Sequence, residues 1–330
     1  MNDYSALLSR VEALLDRLGT LLPTPPEPTN WHASVAFRWR KRQGRAALEP
    51  VKNVHLIAFD DLQGIDRQKD AIVQNTRQFV SGRPANNVLL TGARGSGKSS
   101  LVKACLHRHA KDGLRLIEVE KQDLVDLPDI VELVADRPER FMVFCDDLSF
   151  EASEPGYKAL KVVLDGSVAA TTENIVIYAT SNRRHLMPEY MNENLEYKHV
   201  GDELHPGETA EEKISLSERF GLWVSFYPFD QDEYLTIVGH WLAHFGCSAK
   251  DIAVARTEAL QWSLGRGSRS GRVAWHFARD YAGRHARMLA RGSKVKDPQF
   301  KGPQVNGLQV KGSQVKGLQS PPVKRSSAKR

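Results

Sequence analysis

A glycine-rich stretch between an apolar run and a helical pattern carries the most specific chemistry in the sequence. Its letters, NNVLLTGARGSGKSS over residues 86–100, contain the spacing G-x-x-x-x-G-K-[ST]. Glycines allow successive backbone N–H groups to point at one phosphate, and a helix N-terminus adds positive partial charge. We expect Lys98 to reach the β- and γ-phosphates of a nucleoside triphosphate and the Ser99 hydroxyl to bind Mg²⁺. The residues predicted to hold the phosphates are Gly92, Ala93, Arg94, Gly95, Ser96, Gly97, Lys98, Ser99 and Ser100.

Polar side chains follow two apolar strands farther along the chain. Asp146 and Asp147 come directly after FMVFC, and we expect Asp146 to hold Mg²⁺ and Asp147 to orient the attacking water. Glu151 is a second candidate for the water, and two solvated acids that end a strand are the alternative. Asn182 ends the strand ENIVIYATSN and is predicted to contact the water or the γ-phosphate, because an amide both donates and accepts. A turn-forming asparagine is the other interpretation.

Two arginines near the end of the folded region are candidates for binding phosphate oxygens. Arg219, in SLSERFGL, precedes the last predicted strand and is expected to act on the nucleotide of a neighbouring subunit. A surface ion pair is the alternative for Arg219. Arg272, in SGR, begins the last predicted helix and is expected to reach the nucleotide from there, with Arg266 and Arg269 as competitors for this role.

The elements that must position these residues alternate between strand and helix. Such alternation predicts a parallel α/β sheet with its ligands at the carboxyl ends of the strands. After Pro228 the pattern becomes helical, over 230–246, 257–264 and 271–290, which predicts a small α domain. The predicted strands lie at 87–90, 114–119, 141–145, 173–182 and 222–227, and the helices between them at 66–80, 99–111 and 154–165.

The N-terminal residues predict three segments. Residues 4–22 place leucines and a valine at helical spacing, which predicts an amphipathic helix that packs on the body or binds a partner. A proline-rich linker follows at 23–30. Residues 31–45 mix five basic side chains with aromatic ones, a composition that suits either nucleic-acid binding or an arm anchored to the body by its aromatic rings.

The net charge of +6 comes from the C-terminal tail. Residues 291–330 hold ten basic residues and one acid, so the rest of the chain, with 36 basic and 39 acidic residues, is slightly acidic. The tail repeats pentads such as QVKGL and is expected to be disordered. The predicted divisions are a helix at 1–22, a linker and basic arm at 23–45, a nucleotide-binding α/β domain at 46–228, an α-helical lid at 229–290 and the tail at 291–330.

The cysteines and the hydropathy pattern bear on the compartment. Cys105, Cys145 and Cys247 stand alone without metal-ligand spacing, so we expect reduced, buried thiols. No apolar run approaches the roughly 20 residues of a membrane span, and no export signal is recognisable. The expectation is a cytoplasmic protein without membrane contact.

The motifs together resemble those of AAA+ ATPases. GARGSGKS is similar to Walker A, FMVFCDD to Walker B, ATSN to sensor 1, SERFG to the arginine-finger box and SGR to sensor 2. DDLQGID is similar to the segment near the adenine, which implies contacts from Gly64 and Ile65. The strings AFRWR, FCDDLSFE, YATSNRRHL and SLSERFGLW resemble the predicted-ATPase family named domain of unknown function 815, over about 31–290.

This resemblance implies an AAA+ core with a five-stranded parallel sheet in the order 5-1-4-3-2, an α-helical lid, and ATP and Mg²⁺ as cofactors. It also implies a homo-oligomer, a ring or partial ring, with the nucleotide at subunit interfaces. Asp147 stands where a glutamate is more frequent, which bears on the rate of hydrolysis rather than on nucleotide binding.

Three functions are compatible with these features. The first is an ATPase that couples ATP hydrolysis to the remodelling of a protein target. The alternative is an ATP-switched DNA-binding module resembling initiators or clamp loaders, motivated by residues 31–45 and the tail. The third is kinase-like phosphoryl transfer to a small molecule.

Residues 189–218, with nine acids and two lysines, form either an interface or substrate loop or a solvated acidic loop.

Overall fold

One mostly parallel sheet forms the centre of the molecule. The computed structural model describes residues 4, 7–14, 28–42, 45–150, 154–165, 173–183, 186, 198–200, 203–205 and 216–289. Within these residues seven strands form the sheet, and two short strands, β7 (Lys198–Val200) and β8 (Glu203–His205), pair separately. The strands of the sheet are β1 (Ala36–Arg42), β2 (Arg45–Pro50), β3 (Val88–Gly92), β4 (Leu114–Glu118), β5 (Arg140–Cys145), β6 (Ile175–Ser181) and β9 (Leu222–Phe226).

The sheet order is β2-β1-β4-β5-β6-β3-β9, and only the β1–β2 pair is antiparallel. The expected count of five strands is therefore wrong, and the expected order 5-1-4-3-2 is not the order of the sheet. It omits β1 and β2, which extend the sheet beyond β4. The five strands predicted from the sequence occupy the other positions, with β3 between β6 and β9.

The strand β1 comes from the segment predicted to be a basic arm, and β2 begins at the last residue of that segment, Arg45. Phe37 and Trp39 are buried on one face of the sheet, while the alternating arginines pair with acids on the other. Arg38 lies 2.6 Å from Glu118 of β4, and Arg40 lies 2.5 Å from Glu120. Arg38 and Arg40 therefore each have a carboxylate partner in the same chain. The α/β unit begins at β1, before residue 46, the predicted boundary.

Helices cover both faces of the sheet. The helices are α1 (residues 7–14), α2 (Asp66–Val80), α3 (Lys98–His109), α4 (Leu127–Val134), α5 (Pro155–Asp165), α6 (Gln231–His244), α7 (Ala249–Gly265) and α8 (Gly271–Leu289). Three short 3-10 turns lie at Phe59–Asp61, Ala110–Asp112 and Lys121–Asp126. Ile72 of α2 and Leu101 of α3 are buried against one face with Leu90, and Ile130 of α4 and Leu160 of α5 against the other with Leu89. Successive residues of β3 thus point to opposite faces, as the strand period requires.

The C-terminal helices α6, α7 and α8 form the predicted helical region. The capping serine Ser248 accepts from the N–H of Asp251, and the Asp251 carboxylate accepts from the N–H of Ser248. This capping box begins α7 at Ala249, eight residues before the predicted start at 257, because a polar cap rather than an apolar stripe marks the helix end. Tyr234 of α6 donates from its hydroxyl to the carbonyl of Ala259 at 3.1 Å.

Several predictions concern segments that are described only in part. Residues 7–14 of the predicted N-terminal helix are helical and exposed. Most of the rest of that helix, most of the linker, Glu151, most of 189–218 and the whole tail lie outside the described residues. The three cysteines are free and buried, as expected, and burial raises the pKa of Cys105 and Cys145 to about 12. Among the described helices, none has the length and apolar content needed to cross a bilayer.

Candidate nucleotide-binding site

The loop between β3 and α3 is shaped by glycines in conformations that other residues rarely adopt. Gly92 has φ 128° and Gly97 has φ 102°. A Cβ added at Gly92 would lie 1.9 Å from the carbonyl oxygen of Phe226 in β9, so only glycine fits beside that strand. Gly97 ends the loop at the residue before α3, and the first turn of that helix begins at Lys98. The loop therefore places a helix N-terminus at the carboxyl ends of the strands, where an anion is stabilised.

Lys98 points its ammonium group into this loop. The side chain is only 6% exposed, and Nζ donates to the carbonyls of Gly92 and Ala93, both at 2.8 Å. It also donates to Oδ1 of Asn182 at 3.1 Å. Burial lowers the pKa of Lys98 below its ordinary value, and the nearby carboxylates of Asp146 and Asp147 oppose this lowering. The ammonium is thus held within the phosphate loop by neutral acceptors that a phosphate oxygen can replace.

The two aspartates after β5 are linked to the helix and to the neighbouring strand. Ser99 donates from its hydroxyl to Oδ1 of Asp146 at 2.6 Å. The hydroxyl of Thr180 in β6 donates to the same oxygen and accepts from the backbone N–H of Asp147 at 2.9 Å. Asn182 donates from its side-chain amide to Oδ1 of Asp147. One connected set of hydrogen bonds therefore joins the predicted metal ligands to the predicted catalytic groups.

Thr180 is the residue of this set that the sequence analysis did not single out. It is 1% exposed and follows Val176 and Tyr178 on the same face of the strand, both of which are buried in the apolar core. A polar side chain in such a strand needs a partner, since an unsatisfied buried hydroxyl costs about 1–3 kcal/mol. The signal that could have found it was a threonine two residues before Asn182, next to a strand that ends in two acids.

Asp147 has an unusual backbone conformation. Its φ is 54°, and it is the only non-glycine residue with positive φ in the described part of the chain. Aspartate and asparagine enter this left-handed region more readily than longer side chains do. The backbone at this position thus suits the aspartate that is present, where the resemblance implied that glutamate is more frequent.

The C-terminal helical region contacts the phosphate loop directly. The N–H of Gly271 donates to the carbonyl of Gly95 at 2.9 Å. A Cβ added at Gly95 would lie 2.9 Å from Oγ of Ser270 and 3.3 Å from Cβ of Arg272. Arg272 also lies close enough to Lys98 to lower the pKa of that lysine. The structure therefore brings Arg272 to the loop, and its predicted contact with a nucleotide stays a prediction.

A cavity of about 530 Å³ lies between the loop and the helical region. Ala93, Arg94 and Ser96 line it from the loop, and Arg269 and Ser270 line it from the connection between α7 and α8. This volume falls in the range of ligand pockets, about 300–1,000 Å³. The loop and the start of the helical region therefore form one concave site.

The two residues predicted to lie near the adenine, Gly64 and Ile65, are close to the loop. A Cβ added at Gly97 would lie 3.3 Å from Cδ1 of Ile65, which is buried. Gly64 has φ 73° and lies against the ring of Phe229, 3.2 Å from the position of an added Cβ. Gly64 and Ile65 thus lie beside the loop, and Ser100 lies in the first turn of α3.

Arg219 is not brought to the loop of its own chain. The register pairs Val88 with Leu222, so Arg219 lies before the beginning of β9, at the amino ends of the strands. The loop lies at their carboxyl ends. The Arg219 guanidinium donates to the carboxylate of Asp165 at the end of α5, which is the ion pair that the alternative interpretation predicted.

The family is decided by a match over most of the chain. Residues 32–285 match the model of the family described as "Protein of unknown function (DUF815)". The chain belongs to this family. The resemblance drawn from the motifs is therefore confirmed for DUF815, and the match includes every candidate site residue.

Several solved structures are similar to this chain at 12–14% sequence identity. A chain of the Escherichia coli HORMA:CdnC:Trip13 complex is 13% identical, with 67% of this chain and 89% of that chain covered and a TM-score of 0.44. A mutant of Thermotoga maritima RuvB is 14% identical, with 71% and 66% covered and a TM-score of 0.43. The Aeropyrum pernix ORC1 protein in complex with DNA is 12% identical, with 69% and 61% covered and a TM-score of 0.44. No curated protein matches the DUF815 chain.

The residues present in this DUF815 protein fit a nucleoside triphosphate with Mg²⁺. Backbone N–H groups of the loop and the ammonium of Lys98 are donors for phosphate oxygens. The hydroxyl of Ser99 and the carboxylate of Asp146 are oxygen ligands of the kind that Mg²⁺ prefers, and they lie 2.6 Å apart. The residues present therefore suit both groups.

Proposed function

We propose that this DUF815 protein is a Mg²⁺-dependent ATPase that uses ATP hydrolysis to remodel a protein target. The observation that carries the ATPase is the connected set of hydrogen bonds from Lys98 through Asn182 to Asp147, and from Ser99 to Asp146. A structural loop would not need a buried ammonium, two carboxylates and an amide at the end of one sheet. This arrangement supports phosphoryl transfer from a nucleotide to water.

Each residue of the set has a role in this proposal. Lys98 and the loop N–H groups bind the β- and γ-phosphates, and Ser99 and Asp146 hold Mg²⁺, which neutralises charge on the phosphates when bound. Asp147 accepts a hydrogen bond from the attacking water and orients it toward the γ-phosphate. Asn182 links Asp147 to Lys98, so that the water and the phosphate are positioned by one amide.

The contact between the loop and the helical region supports a coupling of nucleotide to shape. Gly271 and Arg272 begin α8 and meet the loop at Gly95. A γ-phosphate in the loop attracts the Arg272 guanidinium, and its loss on hydrolysis releases that attraction. ATP then favours the position of the C-terminal helices in which Arg272 is near the γ-phosphate, and ADP does not. A nucleotide can change the shape of a protein only through such a difference in affinity for two conformations.

We also propose that the protein acts as a homo-oligomer with its nucleotide at the subunit interface. Arg219 lies at the opposite end of the sheet from the loop of its own chain, so its phosphate-binding role requires a second subunit. In the single chain Asp165 holds the guanidinium. Assembly would exchange this carboxylate for the phosphates of the neighbouring subunit's nucleotide.

A protein is favoured over DNA as the target because the described arginines of β1 are already paired. Arg38, Arg40 and Arg42 each bind a glutamate of the same chain. The carboxylate of the ion pair offsets the arginine's charge and so weakens its attraction to a DNA phosphate, and residues 31–45 no longer motivate DNA binding. The remodelling of a protein target is therefore the function we propose.

Two variants test the ATPase. Lys98→Ala should lose binding of a fluorescent ATP analogue, and Asp147→Asn should bind it normally but hydrolyse ATP at least about 100-fold more slowly. Asparagine also enters the left-handed region, so the backbone at residue 147 is retained. Turnover of Asp147→Asn at the wild-type rate would show that another group orients the water.

The target is tested with the same variant. Asp147→Asn should retain ATP, so proteins that co-purify with it only when ATP is present, after nuclease treatment, are candidate clients. Retention that disappears with nuclease would contradict the protein-target proposal and leave the ATPase intact.

A further inference from the structure

A basic groove runs along the outer side of the C-terminal helices, away from the ion pairs of the sheet. It has a volume of about 800 Å³ and lies between the end of α7 and the exposed side of α8. Arg266, the residue after α7, and Arg272, Arg279 and Arg284 of α8 line it, together with a single carboxylate, Asp280. The groove therefore concentrates positive charge on one surface of a body that is otherwise slightly acidic.

Two of these arginines are held in place without using their hydrogen-bond donors. Arg266 lies over the ring of Trp262 with its central carbon 5.3 Å from the ring centroid, and Arg279 lies over Trp275 at 5.2 Å. A cation–π contact occupies the face of the guanidinium and leaves its in-plane N–H groups free. Within the described residues neither arginine has a carboxylate partner.

Arg284 provides the contrast. Its guanidinium donates to Glu258 and to Asp280, so its charge is already neutralised. Arg272 contacts the phosphate loop and belongs to the nucleotide site. The two groove arginines that are available to an additional ligand are therefore Arg266 and Arg279.

The sequence that follows the last described helix is also basic. Helix α8 ends at Leu289, and residues 291–330 add ten basic residues and one acid in a low-complexity repeat. Positive charges spread over 40 residues without aromatic or apolar clusters match a long anion of uniform charge better than one folded acidic surface. A phosphate backbone has this property, and planar guanidinium groups bind its oxygens in bidentate fashion.

We propose that this groove binds the phosphate backbone of a nucleic acid strand through Arg266 and Arg279. The binding is independent of base sequence, because the groove offers phosphate donors rather than base-reading side chains. It goes beyond the proposed ATPase and does not require it. Of the groove arginines, Arg272 is the one that lies beside Gly95 and near Lys98 in the described part of the chain, so Arg266 does not take the nucleotide role for which it was a candidate.

The test measures the binding of the full-length protein to a fluorescein-labelled single-stranded oligonucleotide at a series of KCl concentrations. The variant is the double substitution Arg266→Gln and Arg279→Gln. The control is Arg67→Gln and Arg77→Gln, which removes the same two charges from exposed positions on α2. Both variants should bind the fluorescent ATP analogue as the wild type does, which shows that they fold.

Loss of two phosphate contacts should reduce the slope of log K against log salt by about 1.4, at about 0.7 per contact with a single strand. Between about 50 and 200 mM salt the wild type should then lose about sevenfold more affinity than the groove variant, and the control should behave as the wild type.

Three outcomes would overturn the proposal. The first is an equal slope of log K against log salt for the groove variant and the wild type, which would assign binding to the tail alone. The second is no binding of the oligonucleotide by the wild type. The third is displacement of the oligonucleotide by poly-glutamate at equal charge, which would indicate an acidic protein partner.

Discussion

Replacing Thr180 by valine tests whether the neighbouring strand positions both aspartates. The two side chains have nearly the same shape, so the substitution removes one hydroxyl and little volume. The hydroxyl donates to Oδ1 of Asp146 and accepts from the N–H of Asp147. In Thr180→Val, Asp146 keeps only its bond from Ser99 at 2.6 Å, and the N–H of Asp147 loses its partner.

The cost can be worked out from these two bonds. A hydrogen bond to a charged group contributes about 1.5–3 kcal/mol, and a buried unsatisfied N–H costs about 1–3 kcal/mol. Both aspartates are exposed, so water replaces part of what is lost, and values near the lower ends apply. We expect a loss of about 2–3 kcal/mol in the free energy of unfolding, which lowers Tm by about 4–12 °C.

The rate of ATP hydrolysis by Thr180→Val should fall by more than its lower stability explains. Removing a group that orients a metal ligand lowers metal affinity or activity by about 10–100-fold. The assay is steady-state ATP hydrolysis at a temperature where Thr180→Val is fully folded, measured over a range of Mg²⁺ concentrations. We expect a higher Mg²⁺ concentration for half-maximal rate and a lower kcat, with binding of the ATP analogue retained through Lys98.

Thr180→Ser is the matched control, because serine keeps the hydroxyl and loses only a methyl group. It should restore the Mg²⁺ dependence of the wild type. If Thr180→Val hydrolyses ATP with the kcat and Mg²⁺ dependence of the wild type, or if serine is as impaired as valine, the hydroxyl does not position the aspartates and the reasoning fails.

Two further predictions concern the subunit interface and the loop. Turnover per subunit should rise with protein concentration, and Arg219→Ala should abolish this rise while ATP binding persists; turnover independent of concentration in the wild type would exclude action on a neighbouring subunit. Gly92→Ala should lower the unfolding free energy, measured in urea, by more than about 3 kcal/mol, because its Cβ meets Phe226. Gly113→Ala, also at positive φ but with open space around its Cβ, should cost only about 1–2 kcal/mol.

The phosphate loop could be predicted from the sequence because its geometry is local. The glycines, Lys98 and Ser99 are consecutive, and a strand before and a helix after them fix where the loop lies. The positions of Asp146 and Asn182 were also predictable, since the carboxyl ends of parallel strands meet at one edge of a sheet. Their roles in catalysis remain predictions for the variants to test.

The first two strands were not predicted because their charges depend on distant partners. AFRWRKR alternates apolar and basic residues, the period of a half-buried strand, but the number of arginines and lysines pointed to an arm. Glu118, which neutralises Arg38, lies 80 residues away along the chain. The composition of a segment gives its number of charged side chains. Which of these side chains have a carboxylate partner depends on the folded structure.

Thr180 escaped prediction for a related reason, since its role depends on the register between two strands. Phe144 pairs with Tyr178 and Cys145 with Ala179, so the next residues in line are Asp146 and Thr180. A shift of one residue in this pairing would turn Thr180 to the other face of the sheet and remove both of its hydrogen bonds. Phe144 and Tyr178 are almost fully buried on one side of the sheet, and their packing opposes such a shift. The apolar core therefore controls the geometry of the aspartates through the register of β5 and β6.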